Sequence, residues 1–251
     1  MMGYGAASPC ADSAAVPRRV TLLATGPLTN IARCLQAYGD EFASRIDRIL
    51  VMGGAVRVPG NVHQHMLPAD AAPVSGAAEW NFYWDAAAAR TVLHDPSLSG
   101  RIVLFSLDST NSVPVTEQLV RSLGTLSSVA LFPERGDCAA RPRPAPLVDI
   151  AGTCWAMCPW YPREGSVAYQ VCAWDVLVAA YLLDPSIALE RPERVRVIDR
   201  LTGGADEGRV VPCHGASAGE SAEWPPYGDV LVAHAVNVER FHDTLRTACR
   251  L

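Results

Sequence analysis

From Val20 onward the chain alternates between short unbroken apolar runs and stretches whose apolar residues return every three or four positions. The first run, Val20–Ala24, has the continuous apolar character of a strand covered on both faces. Gly26-Pro27 breaks it, and Pro27 suits the first turn of a helix. Leu28, Ile31, Ala32 and Leu35 then share one helical face, which predicts an amphipathic helix from Leu28 to about Ala37. A second strand is predicted over Asp47–Ala55, ending on Gly53-Gly54. After a long loop come a helix over Ala86–Asp95, a third strand over Arg101–Thr110 and a helix over Val115–Leu126. The Pro- and Arg-rich segment Phe132–Asp149 reads as a surface excursion. Later, Val171–Leu183 reads as an apolar helix, Arg194–Asp199 and Asp229–Val236 as strands, and Val238–Cys249 as a closing helix.

Strand and helix taking turns in this way imply an α/β fold, an open and mainly parallel sheet with helices on both faces. Ligands of such sheets sit where strands end, at the carboxyl edge. Thr25, Met52 and Asp108 are all expected there. Residues 1–19 are expected to form a poorly structured N-terminal segment, and residues 20–251 a single domain.

Composition narrows the function classes. The 251 residues are 49% hydrophobic and 19% charged, a profile able to build a full core. A formal charge of −5 without a dense basic patch argues against nucleic acid as a partner. No apolar run approaches the ~20 residues of a membrane helix, so no membrane partner is expected. The N-terminus lacks the cationic start and apolar block of a secretory signal. Eight scattered cysteines, with Cys154 and Cys158 the only close pair, read as reduced thiols, and the cytoplasm is the expected compartment.

Four acids stand out. Glu79, beside Trp80 and one residue from Asn81, lies in a loop that also carries Asn61. Burying its carboxylate is costly unless donors meet it, and a ring of sugar hydroxyls would supply them. A loop that caps its own helix is the alternative, and for Asp85, directly before Ala86–Asp95, the helix cap is the favoured reading. Asp175 lies alone in the apolar "AWDVLVAAYLL", where it either complements the helix dipole or binds a ligand. Asp108 with Thr110 suits an Asx turn or a ligand. No serine-nucleophile elbow, P-loop or dinucleotide fingerprint follows a strand.

Four ordered segments carry a resemblance: "LLATGPLTNIA", "VMGGAVRVPGN", "AEWNFYWDAAAA" and "CAWDVLVAAYLLDP". From Val20 to the C-terminus the chain resembles the inosine–uridine preferring nucleoside hydrolases. That resemblance implies an open α/β sheet and hydrolysis of the N-glycosidic bond of ribonucleosides to base and ribose, by a water activated on a calcium ion. It matches Thr25, through its carbonyl, and Asp175 to calcium ligands, and Met52, Asn61, Glu79 and Asn81 to ribose contacts. Members are often dimeric or tetrameric, which leaves a homo-oligomer open.

The sequence departs from the family pattern in three places. Nothing before Val20 resembles the family's Asp-x-Asp-x-x-x-Asp-Asp strand end, so the chain reads as lacking the first strand–helix units. With them go most calcium ligands and the general base, for which no residue here is assigned. Trp174 stands at the leaving-group position, where the family often has His; an indole stacks on a base but cannot protonate it. The loop between Asn61 and Glu79 is longer than in typical members. The alternative expectation is a catalytically inactive nucleoside- or sugar-binding or interaction protein of the same fold.

Overall fold

A computed structural model describes residues 19–116, 119, 172–198, 204–213 and 229–248. The expected N-terminal segment (bar its last residue), most of the helix expected at 115–126, the Phe132–Asp149 excursion and the Cys154/Cys158 pair lie outside the described residues.

The elements run β1 (Val20–Ala24), α1 (Thr29–Arg45), β2 (Ile46–Met52), α2 (Trp80–Trp84), α3 (Ala86–Leu93), β3 (Ile102–Phe105) and α4 (Leu107–Thr110). They continue with α5 (Trp174–Leu183), β4 (Ala188–Glu193), β5 (Val195–Val197), β6 (Val210–Pro212), β7 (Val230–Val236) and α6 (Val238–Ala248). The main sheet has the order β1-β2-β3-β7-β4, and β5 pairs with β6 in a small second sheet. β1 through β3 and β7 are parallel, while β4 runs antiparallel along β7. The expected mainly parallel α/β sheet is therefore the observed one.

Alternation along β2 and β3 explains the layering. Ile49, Val51 and Leu104 face a core that includes Leu28, Leu35, Phe82, Val92 and Val232, under α1 and α3. Leu50, Met52, Val103 and Phe105 face the opposite core of Leu177, Tyr181 and Phe241, under α5 and α6. Both faces being covered, these strands must be apolar throughout. Each fully buried aliphatic side chain contributes roughly 1.5–3 kcal/mol.

Several boundaries differ from the expectation, each for a physical reason. β1 is the outer strand of the described sheet, with Val20 47% and Leu23 40% exposed, rather than a strand covered on both faces. An apolar run reads alike in either place. α1 continues to Arg45, past a break at Gly39 (φ 46°), because glycine absorbs a non-helical turn that would end most helices. The third strand stops at Phe105, and Leu107–Thr110 forms a helical turn instead of more strand. Ser109 and Thr110 hydroxyls both donate to the Ser106 carbonyl there. α2, β4 and β6 had no periodic signal long enough to announce them. Asp85 caps α3 as expected, accepting from the Ala88 N–H at 3.0 Å.

Candidate functional site

The parallel register brings the strand ends into line. Ala24 pairs with Val51 and Met52 with Phe105, so Thr25, Met52 and the Ser106–Thr110 turn all follow the same carboxyl edge. The expectation for Thr25, Met52 and Asp108 holds in position.

α2 delivers two polar side chains to that edge. Glu79 is its N-cap and only 2% exposed. Its Oε2 accepts from the Gly54 N–H at 3.0 Å and the Phe82 N–H at 3.2 Å. Burial raises the Glu79 pKa; hydrogen bonds from the Asn81, Gly54 and Phe82 N–H groups oppose the rise, and the charge of Asp175 adds to it. Helix cap and candidate ligand are thus the same carboxylate. The neighbouring Asn81 Nδ2 donates to the Met52 carbonyl at 3.1 Å and approaches its sulfur at 3.4 Å. Across the loop, Asn61 Oδ1 accepts from the Trp80 N–H at 2.8 Å. Met52, Asn61, Glu79 and Asn81 therefore form one connected patch. Among the described residues, the Asn61 amide nitrogen and the Asn81 amide oxygen remain available to a ligand.

Close approach of backbone makes this patch possible. A methyl group at Gly53 would lie 2.4 Å from the Phe82 ring, and Gly54 adopts φ +76°. The paired glycines let the β2 loop fold down onto α2.

Asp175 sits in the first turn of α5, as the helix-dipole reading requires, and its charge acts on Glu79. The residue reaches solvent on one side, yet its surroundings desolvate the carboxylate and raise its pKa. Trp174 packs on the cluster that holds Met52 and Ala55, and its indole N–H donates to Asn111 Oδ1 at 3.1 Å. Thr25 is exposed at the end of β1. Among the described residues no three His, Cys, Asp or Glu side chains cluster as a metal site.

A family model described as inosine-uridine preferring nucleoside hydrolase matches residues 5–243. The chain belongs to the inosine–uridine preferring nucleoside hydrolase family. An uncharacterised protein of Schizosaccharomyces pombe is 37% identical over 189 residues, 75% of this chain and 48% of that protein. The inosine-uridine preferring nucleoside hydrolase of Leishmania major is 31% identical over 198 residues, 78% of this chain and 50% of the relative. The solved structure of the inosine-uridine preferring nucleoside hydrolase from Bacillus anthracis aligns with a TM-score of 0.65 at 27% identity, over 93% of this chain and 61% of that one. The chain spans about half the length of these curated relatives.

Within this nucleoside hydrolase family member, sequence reasoning missed the main-chain N–H groups of the site. The Gly54 and Phe82 N–H groups leave no side-chain signature. Asn111, the partner of Trp174, also went unremarked, and its only signal was its place directly after Thr110. The described cysteines Cys34, Cys172 and Cys213 are not in disulfides. No helix among the described residues is long and apolar enough to cross a membrane.

Proposed function

We propose that this chain carries the sugar half of a site that hydrolyses the N-glycosidic bond of a ribonucleoside, giving free base and ribose. The observation that carries the reading is the hydrogen-bonded patch Met52–Glu79–Asn81 at the carboxyl edge of β2, with the charge of Asp175 acting on it. Family membership supplies the reaction class.

In this reading ribose hydroxyls meet Glu79, the Asn61 amide and the Asn81 amide oxygen. The Glu79 carboxyl group is an acceptor, so it suits a ribose hydroxyl as donor. Hydrogen bonds to the sugar strengthen as the ring gains oxocarbenium character, and such contacts raise the rate of bond cleavage. The Trp174 indole, oriented by Asn111, offers a face on which a base can stack.

Calcium takes six to eight oxygen ligands. The Thr25 carbonyl and the Asp175 carboxylate are donors of the right kind, and neither has a hydrogen-bond or ion-pair partner among the described residues. They are too few to complete such a site, so the described residues alone do not fit the ion. A cytoplasmic location and assembly into a homo-oligomer complete the reading.

Calorimetry with ribose, uridine and inosine, with and without calcium, run beside an assay for released ribose, tests the proposal. Heat with turnover supports hydrolysis. Heat without turnover transfers the reading to a sugar- or nucleoside-binding protein of the same fold, and the absence of both overturns it.

A further inference from the structure

The loop leaving β2 is held against Glu79 from one side, and Asp108 holds it from the other. Asp108 Oδ2 accepts from the Val56 N–H at 2.9 Å and Oδ1 from the Arg57 N–H at 2.8 Å. Ser106 Oγ donates to Oδ2 at 2.9 Å, and the Leu107 N–H donates to the Gly54 carbonyl at 2.9 Å. These main-chain partners lie 51 and 52 positions away in sequence, so the carboxylate is not closing an Asx turn on its own backbone. Peptide N–H groups of one loop are thus shared between two carboxylates on different elements: Gly54 goes to Glu79 at the head of α2, Val56 and Arg57 to Asp108 in α4. The Arg57 side chain adds a third tether, forked onto both Glu193 oxygens of β4 at 2.9 Å, and Glu193 in turn contacts His234 of β7.

We infer that Asp108 is a positioning residue of the nucleoside site. By fixing the Val56 and Arg57 N–H groups it sets where Gly54 presents its N–H to Glu79 and where Met52 presents its carbonyl to Asn81. The orientation of both ribose-contacting side chains then depends on a carboxylate in a different element. The inference rests on the proposed role of Glu79 and Asn81. Two adjacent glycines leave this loop little stiffness of its own, so an external clamp decides its conformation. A carboxylate accepting two N–H groups is a charge-assisted clamp that an amide cannot reproduce, because one N–H must then face an NH2 group.

Asp108→Asn in the full chain tests this through amide hydrogen exchange and steady-state kinetics. Losing a hydrogen bond to a charged group speeds local opening by about ten- to a hundredfold, which is the change expected at Val56 and Arg57. The deciding amide is Gly54, bonded to Glu79 and not to Asp108: its exchange is expected to quicken as well, while Leu50 in β2 and Val103 in β3 keep theirs. KM for uridine or inosine is expected to rise about tenfold with a smaller change in kcat, since the sugar-binding groups lose preorganisation. Gly54 exchange and KM both unchanged, with Val56 and Arg57 opened, would reduce Asp108 to a local cap and overturn the inference. If Asp108→Asn does not fold, Ser106→Ala, which keeps the carboxylate but removes one donor, is expected to quicken Val56 and Gly54 by a few-fold, and no change at Gly54 overturns it equally. A wild-type chain without ribose binding or turnover defeats the proposed function separately, and the exchange comparison still decides the coupling through the loop.

Discussion

The hydroxyl of Thr29, five residues past the end of β1, donates to Asp85 Oδ2, while Oδ1 of the same carboxylate caps α3. One acid thereby joins the turn that carries Thr25 to the junction between α2 and α3. The metal-side and sugar-side residues named by the resemblance are tied together through it.

Thr29→Val keeps the side-chain shape and removes that donor. The bond is part-buried, so its loss is expected to cost about 1 kcal/mol. Urea unfolding monitored by circular dichroism checks this; an unchanged midpoint would mean the contact adds nothing.

Gly53→Ala places a methyl group 2.4 Å from Cε1 of a fully buried Phe82. The ring has no free space to enter, so the loop or α2 must shift, at a cost of about 1–3 kcal/mol. Weaker ribose binding should accompany the lower stability, because Phe82 lies one residue from Asn81. Calorimetry and thermal unfolding of the same variant read both effects.

Glu79 has its pKa raised above the ordinary 4.5, chiefly by burial. The native state therefore holds a proton that the unfolded chain releases more readily. Its stabilising contribution is complete below pH 4.5 and is lost as pH rises through the folded-state pKa. Glu79→Gln is expected to flatten that alkaline decline in unfolding free energy, and the pH series on both proteins measures it. An identical slope in the two would refute the assignment.

His94 works in the opposite sense. Burial, then the nearby Arg90 charge, lowers its pKa from 6.5 to about 4, and the neutral ring accepts from the Val197 N–H at 3.4 Å, linking the end of α3 to β5. Its contribution is complete above pH 6.5 and is lost as pH falls toward 4. A shift of this size is worth up to about 3 kcal/mol. Replacing His94 with Gln should remove most of the loss between these limits, as acid unfolding followed by tryptophan fluorescence would record.

What could be read in advance follows from how each element earns its stability. β2 and β3 are flanked by strands on both sides, and the apolar runs Ile49–Met52 and Ile102–Phe105 say so without context. The helical face Leu28–Leu35 was equally legible, whereas the extension of α1 to Arg45 depends on packing that a glycine in mid-helix conceals. α2 is one and a half turns long and holds its shape through Glu79 and the β2 loop, a tertiary partnership that local pattern cannot express. The site divided along the same line. Glu79, Asn81 and Asp175 were conspicuous as polar groups in apolar surroundings, while the N–H groups of Gly54, Val56 and Arg57 that orient the patch have no residue type to betray them. Asp108 drew attention as an acid beside a strand end, but its partners lie in a distant loop.

β7 enters the sheet between β3 and β4, yet it comes from residues 230–236, while β3 ends at Phe105. A nascent polypeptide leaving the ribosome can pair β1, β2 and β3 early, but the β3–β7 pairing waits until residues 230–236 emerge. Closing so distant a contact is slow. Synthesis of this protein therefore passes through a long interval in which β3 lacks its β7 neighbour, the stage at which a chaperone would be most needed.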